Sequence, residues 1–419
     1  MSFPISVSSE VGHLRKVIVH RPDSGIARIS PRVAEELLFD DIVYLPQMQK
    51  EHDVFTRVLS AFLGSDNVLD AADLLRESLD AAPEIKAEML GKLCAYEELP
   101  SSTQRLLEKI GNAELTQVLI NGYYPEDDHI LFDPVPNFIF TRDIAVIVNR
   151  HVILTKAAKE ARFRENLLTR FIFSAHPIFD VLRREDRIIN LNDVDAFPPS
   201  RKGETVSIEG GDVMALHPDY LLVGSSERSS RHGIRSLTRE LFARGVVGNV
   251  VQINIPPDRS FMHIDTVFTQ INHRHIVAYK PLVTEGISST VEVFRRDGSV
   301  QQYPSVQEFL FAEIDPLMQF IYSGNGISPY QEREQWTDGC NLLALKPGVA
   351  LAYDRNPMTE KAFKSAGYSI LHAEDFLQAV GNGTLLPESV EDTIITLPSS
   401  ELSRARGGSH CMSCPISRD

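Results

Sequence analysis

The first third of the chain combines one short apolar run with long stretches of helical spacing. Residues 14–20 (Leu-Arg-Lys-Val-Ile-Val-His) predict a first strand, which ends at Arg21-Pro22. Residues 31–64 and 66–122 are typical of helices. In the second stretch, four apolar residues at helical spacing predict one buried helix face: Val68, Ala72, Leu75 and Leu79. The plainest interpretation of 66–122 is a small helical subdomain with its own packed core.

After residue 135, short apolar strands dominate and one pattern recurs four times. A polar residue precedes an apolar strand, and a polar turn leads into a second apolar strand, which predicts a hairpin. The polar residues that open the four hairpins are Asp143, Asp212, Asp265 and Asn341. Four such units at uneven spacing predict a pseudo-symmetric, radially repeated fold, and the strand near residue 17 is available for a fifth unit. The four polar residues would then lie near one shared cavity.

Helical stretches separate the hairpins and are expected to pack outside them. They fall at 157–172, 228–244 and 359–367. Strands that alternate with helices predict an α/β architecture.

Composition narrows the class of protein. The chain has 419 residues, 43% of them hydrophobic, and a formal net charge of -15. A surface this acidic repels phosphate backbones, so nucleic acid is not an expected partner. No apolar run approaches the ~20 residues that span a bilayer, and the first residues lack the pattern of a signal peptide. Four cysteines are too few for a disulfide scaffold, so we expect a cytoplasmic protein without a membrane partner.

The end of the chain carries a candidate nucleophile. Cys411 follows Gly407 and Gly408, which let the backbone turn tightly and approach a ligand. A thiolate attacks electrophilic carbon, and nearby cations favour that form of cysteine. Cys411 and Cys414 also form a C-x-x-C pair, which is open to interpretation as a redox or metal pair. Because the chain has no second C-x-x-C, a structural zinc site is disfavoured.

An imidazole and three acids are candidate partners for this thiol. His263 and Asp265 are two residues apart and, on a strand, would project from the same face. Histidine moves protons near neutral pH. Glu209 and Asp143 add two further acids at predicted strand mouths. Carboxylates gathered in one cleft repel one another unless a cation lies between them, and a guanidinium matches two flat carboxylates best.

At these residues the chain closely resembles bacterial arginine deiminases, which belong to the guanidino-group-modifying enzymes. The resemblance covers nearly the whole sequence. Its most specific stretches are Pro136-Asn-Phe-Ile-Phe-Thr-Arg-Asp143, Glu209-Gly-Gly-Asp212, Met262-His-Ile-Asp-Thr-Val-Phe268 and the Gly-Gly-Ser-His-Cys411 segment. Further similarity lies in Ser9-Glu-Val-Gly, Val19-His-Arg-Pro22, Glu36-Leu-Leu-Phe-Asp-Asp41, Arg333-Glu-Gln-Trp-Thr-Asp-Gly-Cys-Asn341 and Tyr353-Asp-Arg-Asn356.

The resemblance implies a fold and a reaction. The fold is a five-bladed α/β propeller, with residues 1–65 and 123–419 as the catalytic domain and residues 66–122 as a helical insertion. The reaction is the hydrolysis of free L-arginine to L-citrulline and ammonia through a covalent S-alkylthiouronium on Cys411. His263 protonates the leaving group and later activates water, and Glu209 orients His263. Asp143 and Asp265 grip the guanidinium nitrogens.

The resemblance also implies partners for the rest of the substrate. Arg228 and Arg406 match the carboxylate binders of the family by motif position, and either Arg162 or Arg164 supplies a third. Asn137 would contact the amino-acid end of the substrate, and Phe140 would stack on its guanidinium. No metal or other cofactor is implied. The expected partners are arginine, water and other copies of the chain, in a dimer or tetramer.

The sequence departs from the family pattern in the segment before the nucleophile. Ala405 and Ser409 stand where glycine is usual, and a β-carbon restricts φ there. Glu360 stands where asparagine is commoner. Two alternatives therefore stay open: a related guanidino hydrolase or amidinotransferase with another substrate, and a non-catalytic arginine-binding protein.

Overall fold

The computed structural model describes residues 4–39 and 41–419, so Asp40, within the resembling stretch at 36–41, lies outside the described residues. The helices are α1 (Leu45–Leu63), α2 (Ala71–Ala81), α3 (Pro83–Tyr96), α4 (Ser101–Lys109), α5 (Asn112–Asn121), α6 (Phe163–Ala175), α7 (Asp180–Arg184), α8 (Arg231–Ala243), α9 (Lys280–Val283), α10 (Val306–Phe309), α11 (Tyr330–Trp336), α12 (Pro357–Ser365) and α13 (Ala373–Gly381).

The strands begin with β1 (Leu14–Val19), β2 (Val68–Asp70), β3 (Tyr123–Tyr124), β4 (His129–Ile130), β5 (Ala145–Val148), β6 (His151–Leu154), β7 (Ile188–Asn190), β8 (Val213–His217), β9 (Tyr220–Ser225) and β10 (Asn249–Asn254). The later strands are β11 (Phe268–Asn272), β12 (His275–Ala278), β13 (Thr290–Arg295), β14 (Val300–Tyr303), β15 (Gln319–Tyr322), β16 (Leu343–Lys346), β17 (Val349–Tyr353), β18 (Ser369–His372), β19 (Thr393–Leu397) and β20 (Cys414–Arg418).

Five sheets of three or more strands, counted over the described ranges, share one connectivity. In each, an antiparallel pair is followed by a strand that lies parallel to the second member of the pair. The five sets are β5-β6-β7, β8-β9-β10, β11-β12-β15, β16-β17-β19 and β20-β1-β2. A parallel partner requires a crossover, and helices or a further hairpin supply it each time.

The four hairpins predicted from the sequence are confirmed. They are β5-β6, β8-β9, β11-β12 and β16-β17. The predicted helices between them are also present, as α6, α8 and α12, with boundaries shifted by one to six residues. Apolar strands such as β5, buried at every position, explain why the pattern was readable from the sequence.

The fifth sheet joins the two ends of the described chain. β1 is the middle strand, antiparallel to β20 and parallel to β2. The prediction that the strand near residue 17 belongs to a fifth unit is therefore confirmed. β20 was not predicted, because Cys-Pro-Ile-Ser-Arg lacks the alternation that marks most half-buried strands.

Two helical assignments from the sequence are wrong. Val68 lies in β2 and pairs with Val17, so it does not share a helix face with Ala72, Leu75 and Leu79. Asp70 accepts a hydrogen bond from the Ala72 backbone N–H at 2.8 Å, which caps α2 and ends the strand there. Residues 31–38 form turns rather than a helix, and α1 starts only at Leu45.

The core lies between the sheets and the helices that cover them. Phe55 and Val58 of α1 pack with Phe376 of α13 against strands β17 and β19. Burying a phenylalanine of this kind contributes roughly 1.5–3 kcal/mol. No helix among the described residues is long and apolar enough to cross a membrane.

Candidate active site

The polar residues at the mouths of the hairpins are joined by hydrogen bonds. Asp143 Oδ1 accepts from the Gly211 N–H at 3.0 Å, which ties the first hairpin to the second. Asp212 Oδ1 accepts from the Ile264 N–H at 3.0 Å, which ties the second to the third. Each aspartate thus satisfies a backbone donor of the next unit rather than one of its own strand.

The same pattern continues through the last two units. Asn341 donates through Nδ2 to the Asp265 carbonyl at 3.1 Å and accepts through Oδ1 from the Cys411 N–H at 3.1 Å. The Cys411 carbonyl accepts from the Arg142 N–H at 3.0 Å, which leads back to the first hairpin. The contacts form a closed ring, and the predicted convergence of the strand mouths is confirmed.

A cavity of about 30 Å³ lies within this ring, which is room for roughly one water molecule. It brings together nine of the eleven side chains predicted from the sequence: Asn137, Phe140, Asp143, Arg162, Glu209, Arg228, His263, Arg406 and Cys411. Of the other two, Asp265 lies behind Cys411 and Arg164 lies elsewhere. Sequence reasoning missed four further lining residues: Leu38, Met262, Thr266 and Ala405.

Cys411 lies in a tight loop that ends just before β20. A β-carbon on Gly407 would lie 2.3 Å from the Phe140 ring, and one on Gly408 would lie 2.5 Å from the Asn341 carbonyl oxygen. Glycine is therefore needed at both positions for the loop to pack. Cys411 Sγ lies 3.5 Å from Asp265 Oδ2. Burial, together with Asp265 and nearby acids, raises the pKa of the Cys411 thiol well above its usual range, so the thiol is neutral here.

His263 also lines the cavity and contacts two of the acids. Its Nε2 is 3.1 Å from Glu209 Oε2, and its Nδ1 is 3.8 Å from Asp143 Oδ1. Burial alone would lower the pKa of His263, but Asp143, Glu209 and Asp212 outweigh it and raise the pKa to about 10. A β-carbon on Gly211 would lie 2.5 Å from His263 Nδ1, so that glycine makes room for the ring.

The prediction that His263 and Asp265 share a strand face is wrong. His263 is extended, but Asp265 lies in a short 3₁₀ turn, Ile264–Thr266. Thr266 closes this turn by donating through its hydroxyl to the His263 carbonyl at 2.7 Å. Asp265 consequently points at Cys411 and His410 instead of running alongside the imidazole.

A guanidinium from the chain itself lies among the carboxylates. Arg162 Nη1 donates to Asp143 Oδ2 at 2.7 Å and to Glu209 Oε2 at 3.0 Å. Its Nε donates to Glu165 Oε2 at 2.8 Å, and its side chain is 5% exposed. Burial would raise the pKa of Glu209, but Arg162, His263 and Arg228 lower it. The acids therefore present a site that accepts a flat cation.

Arg164, the alternative to Arg162, does not reach the cavity. Its Nη1 pairs with Glu97 at 2.7 Å, and its guanidinium lies 4.3 Å from the ring centroid of Phe132. The structure therefore places Arg162, and not Arg164, at the candidate site. The two arginines differ because Arg162 ends a 3₁₀ turn while Arg164 lies inside α6.

The remaining predicted binders border the cavity in different ways. Arg228 Nη1 lies 3.8 Å from Glu209 Oε1. Arg406 stacks on Trp336, with 3.4 Å from its guanidinium carbon to the ring centroid. Asn137 donates through Nδ2 to the Leu37 carbonyl at 2.7 Å, so its amide positions the loop at residues 31–38.

Three buried polar residues near the site were missed. Glu165 holds Arg162, and burial raises the pKa of Glu165 to about 7. His410 lies 2.9 Å through Nδ1 from Asp265 Oδ2, and Arg142 donates to His410 Nε2 at 2.9 Å. Asp338 is buried beside Arg406. The position of His410, next to the nucleophile, was a usable signal for that residue.

Asp143, Glu209 and His263 also place three ligand atoms within 4.8 Å of one another, as a metal site would. In the structure, the Arg162 guanidinium contacts both carboxylates of this group. The two carboxylates of the group are therefore paired with an organic cation.

A thiol, an imidazole and acids around a guanidinium, at the mouths of five similar sheets, define an enzyme of the class that modifies guanidino groups. A solved structure with this fold is the product-bound N-terminal domain of ArgZ, an arginine dihydrolase from the ornithine–ammonia cycle in cyanobacteria. It is 12% identical, with a TM-score of 0.51, over 97% of this chain and 98% of that one. This likeness shows the α/β fold.

The sequence comparisons identify the family. The profile of the arginine deiminase family matches residues 35–418. The arginine deiminase of Rhodococcus erythropolis is 32% identical over 100% of this chain and 98% of that protein. The arginine deiminase of Listeria monocytogenes is 32% identical over 100% and 99%, respectively. The chain belongs to the arginine deiminase family.

Proposed function

We propose that this enzyme hydrolyses free L-arginine to L-citrulline and ammonia, with Cys411 as the nucleophile. The observation that carries the proposal is the Arg162 guanidinium between Asp143 and Glu209, because it places the same chemical group as the substrate's within the acids. Because Arg162 already occupies Asp143 and the cavity is only about 30 Å³, the proposal includes displacement of Arg162 from Asp143 by the substrate.

The chemistry follows from the order of the side chains around the cavity. Cys411 sulfur attacks the guanidinium carbon, and the C–N bond breaks after His263 gives its proton to the leaving nitrogen, which departs as ammonia. His263 then takes a proton from water, and the resulting hydroxide adds to the carbon. As the C–S bond breaks, the proton of the added hydroxyl passes to the departing sulfur, which releases citrulline and returns the thiol. No step needs a metal or an organic cofactor.

The charge of the substrate activates the thiol in this scheme. In the structure, burial and acids such as Asp265 hold the pKa of Cys411 high. A guanidinium bound between Asp143 and Asp265 neutralises those acids and brings a cation close to the sulfur. Asp265 Oδ1 is buried and has no hydrogen-bond partner among residues 4–39 and 41–419, so it is available for this contact. The thiol therefore loses its proton when substrate arrives.

The α-carboxylate of the substrate requires cations at the other end of the site. Arg228 and Arg406 border the cavity with buried nitrogens that have no hydrogen-bond partner in the described part of the chain: Nε in Arg228, and both Nε and Nη1 in Arg406. Arg162, once displaced from Asp143, is the third candidate. Asn137 and Phe140 would contact the amino-acid chain and the guanidinium plane, respectively.

The five sheets support a five-bladed α/β propeller. Their shared connectivity and the ring of hydrogen bonds between their mouths are what such a ring of blades requires. We assign residues 1–65 and 123–419 to this catalytic domain and residues 66–122 to a helical insertion built from α2 to α5. Within that range β2, at 68–70, pairs with β1 and belongs to the fifth sheet.

A reducing compartment, the cytoplasm, fits four cysteines that are all buried and unpaired. A homo-oligomer, dimer or tetramer, stays an expectation from the family resemblance.

The test is product analysis on purified protein with arginine as the sole substrate. We expect one citrulline and one ammonia per turnover. Release of methylamine from methylated arginines in preference, transfer of the amidino group to an added amine, or arginine binding without turnover would each reject the proposal.

A further inference from the structure

A second cavity of about 370 Å³ adjoins the segment that precedes the nucleophile. Four of its lining side chains are arginines, in a chain whose formal net charge is -15. We call it the arginine pocket and define it by these side chains and one aromatic ring: Arg333, Arg355, Arg404, Arg406 and Trp336. The resembling stretches at 333–341 and 353–356 meet here, and the proposed reaction uses neither of them.

The positive charge of the arginine pocket is only partly compensated. Arg404 pairs with Asp41 at 2.9 Å and with Glu401 at 3.3 Å. Arg355 donates to the hydroxyl of Ser403. Arg333 makes no ion pair within the described part of the chain. Like charges gathered in this way repel one another until an anion joins them.

The surroundings of Arg406 indicate that the arginine pocket binds a ligand. Arg406 is 7% exposed, and within the described ranges its Nε and Nη1 have no hydrogen-bond partner. Its Nη2 donates to the Arg259 carbonyl at 3.3 Å, and its face is covered by Trp336. The charge of the buried acid Asp338 acts on Arg406, and Asp338 Oδ2 likewise has no described partner. A buried guanidinium whose N–H groups lack acceptors destabilises the folded protein. An anion that binds in the cavity and accepts these hydrogen bonds removes that penalty.

We propose that the arginine pocket binds a small anion that carries a phosphate group. Among the described residues, three of its guanidinium groups form no ion pair, although the buried carboxyl of Asp338 acts on two of them from a distance. A phosphate dianion offers enough charge and enough acceptor oxygens for all three. A single carboxylate would leave most of the charge uncompensated. The exposed part of Trp336, 44% of that residue, gives an attached ring a surface on which to stack.

The pocket is coupled to the candidate active site through one side chain. Arg406 lines both cavities. A phosphate that engages its free nitrogens competes with the substrate carboxylate for the same donors. This step rests on the proposed function, and it predicts that phosphate raises KM for arginine while kcat stays unchanged. The binding itself does not depend on turnover.

Trp336 makes the binding measurable, because it is the single tryptophan of the chain. We would titrate the whole protein, without arginine, with inorganic phosphate, phenyl phosphate and acetate at constant ionic strength set with chloride. We expect a saturable change in tryptophan fluorescence with both phosphates and none with acetate. Equal responses to acetate and phosphate, or no saturable response to phosphate, would overturn the proposal.

Substitutions of the exposed Arg333 test whether phosphate binds in the arginine pocket. Arg333→Gln should weaken phosphate binding at least about tenfold, since it removes a charge-assisted contact. Arg333→Lys should recover part of the loss. Arg105→Gln, on an exposed position of α4, is the matched control and should bind like the wild type. Unchanged binding in Arg333→Gln, or an equal loss in Arg105→Gln, would contradict the assignment.

The kinetic arm separates the two proposals. If the wild type turns arginine over but its KM is insensitive to phosphate at saturating occupancy, the coupling through Arg406 is wrong and the proposed function stands. If phosphate changes the fluorescence of a protein that forms no citrulline, the pocket stands and the proposed function falls.

Discussion

Two cysteines three residues apart have sulfur atoms in different chemical surroundings. Cys411 Sγ borders the candidate active-site cavity, 3.5 Å from Asp265 Oδ2. Cys414 Sγ donates to the Ala145 carbonyl at 3.1 Å inside the fifth sheet's contact with β5, and burial raises its pKa to about 12. Only the first of the pair has access to a bound guanidinium.

Cys411→Ala should therefore lower the rate of citrulline formation by at least about 10³-fold, as the loss of a nucleophile does. Cys414→Ser is the matched control and should keep most of the activity, because a hydroxyl donates to the same carbonyl. The measurement is citrulline formed per minute by each purified variant. The reverse order of activities would mean that the nucleophile is misassigned.

His410 prepares Asp265 for its proposed contact with substrate. His410 Nδ1 lies 2.9 Å from Asp265 Oδ2 and donates to it, while Nε2 lies 2.9 Å from Arg142 Nη2 and 3.2 Å from Glu10 Oε2. Burial raises the pKa of Asp265, but the hydrogen bond from His410, together with the charges of His410, His263 and Arg142, lowers it overall. Asp265 must be ionised to hold a guanidinium.

His410→Ala should consequently raise the pKa of Asp265 and move the acidic limb of kcat/KM to higher pH. His410→Asn places an amide N–H near the position of Nδ1 and should restore the limb. The measurement is the pH profile of both variants with arginine. A fall in rate at every pH, without a moved limb, would indicate packing alone.

Arg406→Ala tests the carboxylate role. Agmatine lacks the carboxylate, so the variant should lose affinity for arginine, with KM raised about tenfold or more, while activity on agmatine changes little. Steady-state kinetics on both substrates measure this. Equal losses on the two substrates would show that Arg406 does not bind the carboxylate.

At the residue scale, the sequence indicated which side chains form the candidate site but not how they contact one another. Side chains such as Cys411, His263 and Glu209 stand out because of their chemistry and their neighbours in the chain. That the guanidinium of Arg162 would lie on Asp143 could not be read from the sequence, because the contact joins residues 19 apart on either side of the β5-β6 hairpin.

At the scale of elements, the hairpins were predictable because their apolar strands are buried and separated by polar turns. Short strands were not predicted. β2 has three residues and continues directly into α2, so its side chains fit the helical period of α2. The turn at Ile264–Thr266 was missed for a related reason: one hydroxyl from Thr266 bends an extended run. Elements this short are decided by single hydrogen bonds rather than by pattern.

Glycine is required in the loop before Cys411 but is unfavourable inside a helix. Gly91 lies inside α3, and a β-carbon there meets nothing within 4 Å. Gly91→Ala should raise the free energy of unfolding by about 0.5–1 kcal/mol. Gly408→Ala should lower it by roughly 1–3 kcal/mol and reduce activity, because of the contact with the Asn341 carbonyl. Denaturant titration of both variants measures this, and a stabilised Gly408→Ala would refute the packing argument.

At the scale of the whole molecule, His20, which follows β1, links that strand to β2 and to the loop at Asp23. Its Nδ1 lies 3.3 Å from Asp70 at the end of β2, and its Nε2 lies 3.4 Å from Asp23. Burial would lower the pKa of His20, but the two acids raise it from 6.5 to about 10. The stabilisation is therefore complete below about pH 6.5 and is lost as the pH rises toward 10.

His20→Asn should lower the free energy of unfolding at pH 6 by roughly 1–3 kcal/mol and should lose less stability than the wild type between pH 7 and pH 10. His129→Asn, at an exposed position in β4, is the control and should follow the wild type. Unfolding curves at several pH values measure the difference. Parallel pH profiles for wild type and His20→Asn would show that the ion pairs carry no net stabilisation.

The overall architecture was predictable because it repeats. Four hairpins recognisable in the sequence indicated a fifth unit, whose strands are far apart in sequence. The partner of β1 was not predictable, since β20 begins about 400 residues later and carries little pattern of its own. Long-range pairing of this kind depends on the rest of the ring being present first.

That pairing has a consequence for the order of events during synthesis. Every acid of the candidate site, together with His263, is translated before Cys411, and β20, which follows Cys411 by three residues, pairs with the early strand β1. Four of the five sheets can therefore form before Cys411 is held in place. We expect activity to appear only once β20 has paired with β1.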